Sequence, residues 1–336
     1  MKKIISLLLL IVFCFSLSGC EYYESTRKVS CTTYANEIFN GAQNHETYNG
    51  LRAHASNLRV SYFENLNEDE FASNFNIIIN EGHDFIWCLE KGGKDEVVKQ
   101  AKNYPEVNFG IIDVKLDNVP QNVVTISFRE EEGGFLAGFI AAKSSKTGII
   151  GFVGENNNPI TKKYACGFIA GANYASKLMG TPVQTEFLNV EDEYDKQSAK
   201  LAALSLYNDF GCDIIFHALQ TGGHGVIEAA GECEKLVIGS GTDQASYDHE
   251  HVLVSIIKNT KFAMSNIMDS YVERELEFGK NYEFGMSDRL ISLSKTNILL
   301  DKKVNNEARE IRDSIAKGNI KVPSNDEELK DFLEKN

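Results

Sequence analysis

CDIIFHALQTGGHGVIEAAGECEKLVIG, residues 212–239, decides the fold. Its first apolar run, 213–218, is short and nearly continuous, as in a strand covered on both faces. Gly222-Gly223-His224-Gly225 breaks the run, 225–231 has helical character, and 236–239 is apolar again. Two parallel strands in one sheet need a crossover of this kind, and its hand is nearly always right. The unit recurs outward in both directions. Residues 29–33, 58–63, 83–89, 108–113, 123–128, 146–153 and 183–188 read as strands. Residues 48–58, 71–81, 95–103, 133–144, 159–178 and 198–207 read as helices, and VLVSII (252–257) is a further strand. The expectation is an α/β protein with two doubly wound parallel-sheet lobes. Ligands of such sheets bind beyond the carboxyl ends of the strands, here loops 34–45, 189–195, 219–225 and 240–247.

The length of 336 residues suits two ordinary domains. A hydrophobic share of 43% with 24% charged residues excludes a mostly disordered chain. Acids outnumber Lys and Arg by 48 to 34, a net charge of −14, which excludes a sequence-blind nucleic-acid binder. Met1-Lys2-Lys3, the apolar run 4–17 and Leu17-Ser18-Gly19-Cys20 read as a signal peptide ending in a bacterial lipobox, with Cys20 as the acylated residue. An ordinary secretory signal with a chance cysteine is the alternative. Cleavage removes two lysines and no acid, so the charge moves from −14 to −16. Two acyl chains anchor stably, which places the mature chain on the extracytoplasmic face of a membrane. Residues 1–19 are then signal and 20–27 tether. Cys31, Cys88, Cys166, Cys212 and Cys233 remain, an odd number without metal spacing, read as mostly free and buried.

Chemistry-bearing motifs are few. Gly222-Gly223-His224-Gly225 opens a helix, where backbone N–H groups meet an anion or hydroxyls, or simply lets helix meet sheet. It lacks the third glycine of a dinucleotide fingerprint and the Lys-Ser/Thr of a P-loop, so no cofactor is implied. Asp248-His249-Glu250-His251 fits a solvated turn better than a metal site. His45, His217 and His224 are isolated, and no nucleophile or paired-carboxylate pattern marks an enzyme. Asp113 ends NFGIID and Lys258 follows VLVSII, each a charge at a strand end that can hold a polar ligand or simply face solvent.

Taken together, Tyr48-Asn49-Gly50-Leu51, YPEVNFGIID (104–113), FREEEGGFLAGFIAA (128–142), GIIGFVG (148–154), CGFIAGA (166–172), CDIIFHA (212–218), TGGHGV (221–226), TDQ (242–244), SIIKN (255–259) and GNIKVP (318–323) resemble the basic membrane protein family. These are purine nucleoside receptor A-like substrate-binding lipoproteins of ABC importers. The resemblance implies a type I periplasmic-binding-protein fold with three hinge crossings, placed near 127–128, 255–256 and 286–287. Lobe one is then 28–127 plus 256–286, lobe two 128–255 plus 287–325, and 326–336 a polar tail. It also implies a nucleoside-like ligand and ABC permease subunits as partners.

The strand ends, the glycine loop and the positions matched by the resemblance together give the expected ligand set: Tyr34, Asn40, Gln43, Asn44, Asp113, Tyr194, Gln220, Gly223, Gly241, Asp243 and Lys258. Several depart from the family pattern. Tyr34 stands for an Asp, Asn40 for a second Asp, Gln43 for a stacking Phe, and Gly241 for the Asp aimed at ribose hydroxyls. Asn44 and Lys258 match, and Tyr194-Asp195 aligns with a second stacking aromatic and its Asp. Each lost charge-assisted hydrogen bond costs about 1.5–3 kcal/mol and each lost stack about 1–3 kcal/mol. Nucleoside affinity is expected to fall by several powers of ten. Lys258, without its acidic neighbour, is expected to be free for an anionic group. A surface sensor on the same scaffold is the competing reading.

Overall fold

The computed structural model describes residues 27–34, 42–65, 68–89 and 91–335. One six-stranded sheet is built from β1 (Lys28–Tyr34), β2 (Arg59–Asn65), β3 (Phe85–Cys88), β4 (Asn108–Ile112), β5 (Val123–Phe128) and β11 (Lys280–Phe284). Its order is β11-β5-β4-β3-β1-β2, and its pairings are parallel. The other is built from β6 (Ile149–Glu155), β7 (Gln184–Val190), β8 (Ile214–Ala218), β9 (Leu236–Gly241), β10 (Val252–Lys258) and β12 (Ile291–Leu293). Its order is β12-β10-β9-β8-β6-β7, with β12 antiparallel to β10. The chain passes between the sheets after β5, after β10 and after β11, the three crossings of a two-lobed clamp.

Helices α1 (Ala42–Arg52), α2 (Glu68–Asn80), α3 (Lys94–Asn103) and α8 (Thr260–Glu273) pack with the first sheet. With the second pack α4 (Glu130–Ser144), α5 (Pro159–Met179), α6 (Lys196–Asn208), α7 (Gly223–Cys233), α9 (Lys302–Ala316) and α10 (Asp326–Lys335). Their starts are set by local chemistry. Asn158 accepts from the Ile160 N–H ahead of Pro159, and Asp301 accepts from Lys303 and Val304. Asp195, aligned above with a ligand-side acid, instead caps α6 through the N–H groups of Gln197 and Ser198. Residues 326–335, read as a polar tail, form α10, whose Phe332 meets Phe135 edge-on at 6.0 Å.

α4 is the most buried helix segment: residues 130–142 are all shielded from solvent. Its glycines explain how it gets there. A Cβ on Gly134 would lie 2.2 Å from the Tyr164 carbonyl oxygen, and one on Gly138 would lie 2.0 Å from that of Phe168. From the facing helix, a Cβ on Gly167 or Gly171 would lie 2.0 Å from the Glu131 or Phe135 carbonyl. The four-residue spacing on both helices brings α4 and α5 into backbone contact, which larger residues forbid. Phe135, Leu136, Phe139 and Ile140 then fill the space around the crossing, each burial stabilising by about 1.5–3 kcal/mol.

Of the described cysteines, Cys31, Cys88, Cys166 and Cys212 are buried free thiols and Cys233 is a half-buried one. Burial pushes Cys212 up to about 12 and Cys166 up to about 11, so neither is a nucleophile at neutral pH.

Candidate functional site

The carboxyl ends of β1, β4, β8, β9 and β10 converge on a cleft between the sheets. α1 begins at Ala42, six residues before the sequence pattern places it. Gln43 and Asn44 therefore stand in its first turn rather than in a loop. Gly50 lies against the Lys261 carbonyl of α8, and Thr47 and Leu51 are buried beside it, which draws this register inward. Gln43, Asn44, Asp113, Tyr194, Gln220, Gly241 and Lys258 all line the cleft. Asn40 and Cys20 lie outside the described residues, as does the side chain of Tyr34. Gly223 does not face the cleft: a Cβ there would strike the His217 ring at 2.1 Å. Asp243 turns to the hinge side, where its Oδ1 accepts from Ala245 N and its Oδ2 from Thr296 N at 3.4 Å.

Lys258 corrects the sequence-based expectation of a free cation. Its Nζ donates to Asp113 Oδ1 at 2.7 Å and to Glu130 Oε1 at 3.3 Å, and stands 4.9 Å from the centre of the Phe128 ring. Burial pulls its pKa down, but Asp113 and Glu130 outweigh that and hold it above the ordinary lysine value. Asp113 and Glu130 thus supply the counter-charge of Lys258, although position 241 carries no acid. Burial raises Glu130 against the pull of Lys258 and Lys163. Asp113 adopts φ +62°, which turns its carboxylate to Lys258 on one oxygen and to Gln43 Nε2 at 3.1 Å on the other.

Besides the Lys258–Asp113 pair, which joins β10 of the second sheet to the end of β4 in the first, two sets of side chains bridge the lobes. Gln220 Nε2 donates to Gln43 Oε1 at 3.2 Å. Lys91 Nζ donates to Glu193 at 2.5 Å and to Glu155 at 3.1 Å. Burial lowers Lys91, but Glu193 and Glu155 outweigh it and raise it, while burial raises Glu193 against the pull of Lys91. The walls enclose about 70 Å³, room for a few waters; pockets for drug-sized ligands run to about 300–1,000 Å³. His217 is wholly buried under this floor. Its Nε2 meets Gln244 Oε1 at 2.8 Å while Nδ1 accepts from Leu219 N at 3.4 Å, and burial pulls it down to about 4. It is a neutral scaffold group. Two rings reach the mouth: Tyr194, and Tyr247, whose ring lies 4.2 Å from that of His224 at a 45° tilt.

Lys91, Glu130, Glu193 and Tyr247 were not singled out in the sequence. The local signal for Glu130 is three consecutive acids heading an apolar helix. Arg129 pairs with Glu132 at 2.7 Å, and Glu132 also accepts from Met286 N at 2.6 Å, tying the first and third crossings together. Between them Glu131 has a buried oxygen without a hydrogen bond, with Lys163 3.8 Å away. Burial pushes Glu131 up to about 7 despite Lys163. An acid raised in the folded state is neutral at no cost below its unfolded value near 4.5 and destabilises the fold increasingly as pH climbs to about 7. Glu131→Gln is therefore expected to leave stability unchanged at pH 4 and raise it by about 3 kcal/mol at pH 8. Denaturant unfolding at the two pH values checks this.

His251 Nδ1 and Asp248 Oδ2 pair at 2.7 Å in a turn, and no cluster of three metal-ligating side chains occurs among the described residues.

The family model for ABC transporter substrate-binding proteins, PnrA-like (Bmp), matches residues 32–326. Basic membrane protein A of Borreliella burgdorferi is 29% identical over 344 residues, covering 99% of each chain. Basic membrane protein B of Borreliella afzelii is 31% identical over 307 residues, covering 86% of this chain and 87% of that one. Among solved structures, an ABC transporter solute-binding protein of Aeropyrum pernix superposes with TM-score 0.77 at 19% identity, covering 92% and 99%. One of Conexibacter woesei superposes with TM-score 0.71 at 17% identity, covering 89% and 99%. The chain belongs to the Bmp, PnrA-like substrate-binding family, a binding rather than a catalytic type, and has the periplasmic-binding-protein fold. No helix among the described residues is long and apolar enough to cross a membrane.

Proposed function

We propose that this protein is an extracytoplasmic receptor, lipid-anchored through Cys20, that closes its two lobes on a small polar ligand and delivers it to the permease subunits of an ABC importer. A nucleoside or related compound is the leading ligand. The observation that carries the reading is the cleft itself: Gln43 and Asp113 face Tyr194, Gln220, Gly241 and Lys258 where the strands of both sheets end. Family membership supports it. A cavity of about 70 Å³ is too small for a nucleoside, so binding requires the lobes to part and Gln43 and Lys91 to leave their partners. Ligand contacts to both lobes then replace those bonds and drive reclosure.

Calorimetric titration with adenosine, guanosine, inosine and uridine tests the ligand class. Saturable heat with any of them supports nucleoside import. No heat with all four would favour the second reading, a surface sensor, which the self-bridged cleft and the Gln43 in place of an aromatic ring independently suggest. Lys91→Met removes the charged bridge across the mouth and is expected to shift the unliganded lobes toward the open form by about 1.5–3 kcal/mol. Small-angle scattering should report a larger radius of gyration; an unchanged profile would deny Lys91 a latching role.

Gly241 has φ +83°, and a Cβ there would meet nothing nearer than Gln43 Oε1 at 3.8 Å. An aspartate fits the space at about 1–2 kcal/mol of backbone strain. Its carboxylate would accept two hydroxyls at about 1.5–3 kcal/mol each. Gly241→Asp is expected to tighten nucleoside binding by about tenfold or more, read in the same calorimeter. Unchanged affinity would put the ribose elsewhere.

A further inference from the structure

We infer that the groove between β12 and α9 is a docking surface for an extended acidic segment of a partner protein. The groove holds about 750 Å³ and lies on the outer edge of the second sheet, away from the cleft. Its lining carries five cations, Arg289, Lys295, Arg309, Arg312 and Lys317, against one carboxylate, Asp313. That is a reversal of local charge on a chain of net charge −14. Asp313 is spent on Arg312 at 2.6 Å, and the other four cations form no ion pair among the described residues. Burying apolar surface does not require such a cluster, and like charges set this close repel unless a counter-charge arrives.

The backbone adds two features. β12 is the terminal strand of its sheet, with no strand on its outer side among the described residues. β12 is three residues long and Ile291 N already donates to the Gly285 carbonyl at 3.4 Å, so main-chain pairing can only be short and the flanking cations must do most of the selecting. Arg289 holds φ +62°, a left-handed conformation that a long side chain rarely adopts, at the turn leading into β12. Arg289 lines the groove, and backbone strain of this kind concentrates at recognition sites. The arginines are suited to carboxylates, which they grip through two parallel N–H bonds. A concave groove over the buried Ile291 admits a single extended chain, whereas a bilayer surface meets only the rim.

The test is fluorescence anisotropy of a labelled peptide of alternating glutamate and valine, titrated with the full chain. A glutamine-for-glutamate peptide and phosphatidylglycerol vesicles are the other arms. The acidic peptide should bind about tenfold or more tighter than its neutral twin at low salt, with the advantage shrinking near about 0.15 M ionic strength. Arg309→Glu with Arg312→Glu should weaken it by a further tenfold or so. Lys295→Glu, on an exposed side chain, should weaken it less and serves if the double variant does not fold. Lys99→Glu, an exposed cation on α3 in the first lobe, should leave it unchanged, which ties the effect to this groove. Equal affinity for the two peptides, indifference to charge reversal, or binding to vesicles alone would overturn the proposal.

Discussion

Gly138→Ala is expected to lower the melting temperature by about 6–12 °C. A Cβ at that position would lie 2.0 Å from the Phe168 carbonyl oxygen and 3.0 Å from Ala172 N, both backbone atoms that cannot swing aside. The helices must separate, and everything packed around the crossing loosens with them. Overpacking of a tight core costs about 3 kcal/mol, and each kcal/mol moves the midpoint of a chain this size by about 2–4 °C. Gly92→Ala is the control, because a Cβ at Gly92 meets nothing within 4 Å. Calorimetric melting of both variants decides the matter. A Gly138→Ala midpoint within 2 °C or so of the parent would mean that α4 and α5 stand further apart than described.

Lys258→Met removes the one cation shared by Asp113 and Glu130, both largely buried. Breaking a buried pair from one side costs about 3–5 kcal/mol, because the remaining charge stays desolvated. The pH dependence identifies the cause. In the parent, Lys258 is held above its ordinary value, so its contribution is complete below that value and is lost only in strong alkali. In the variant, Glu130, already raised by burial, loses its main counter-charge and rises further. A raised acid favours the folded state at low pH, so acid should rescue the variant while neutral buffer should not. Unfolding curves at pH 5 and pH 8 measure this directly. A loss equal at both would assign the cost to packing around Phe128. Ligand binding should weaken at either pH, since Asp113 then keeps only its bond from Gln43 and the cleft loses its buried cation.

The alternating strands and helices were legible because each is a local pattern. VVTISF in β5 and IIFHA in β8 are buried along their whole length and read as such. β11, KNYEF, is half-exposed and amphipathic in no clear period, and it went unread. The cleft was legible to the extent that its residues end strands, as Asp113 and Lys258 do. Its pairings were not, because they join distant segments: Lys91 meets Glu193 at 102 positions' separation and Lys258 meets Glu130 at 128. The fate of Lys258 shows the limit well. A missing acid at Gly241 implied an unpaired cation, but charge balance in a buried site is settled by whichever carboxylate the fold brings near. The glycines of FREEEGGFLAGFIAA could be quoted as a motif, yet their reason lies in the opposite helix.

The chain order of the first sheet bears on how the protein is made. β11 forms its outer edge beside β5, and α8 covers α1, yet both are encoded after five strands of the second sheet. At translation rates of about 5–20 residues per second, α1 waits roughly 10–40 s for α8 to be synthesised. Through that interval Gly50 and Leu51 have no cover, and the first lobe remains a partial structure while the second assembles. The first lobe can therefore complete its packing only once the last third of the chain has been made.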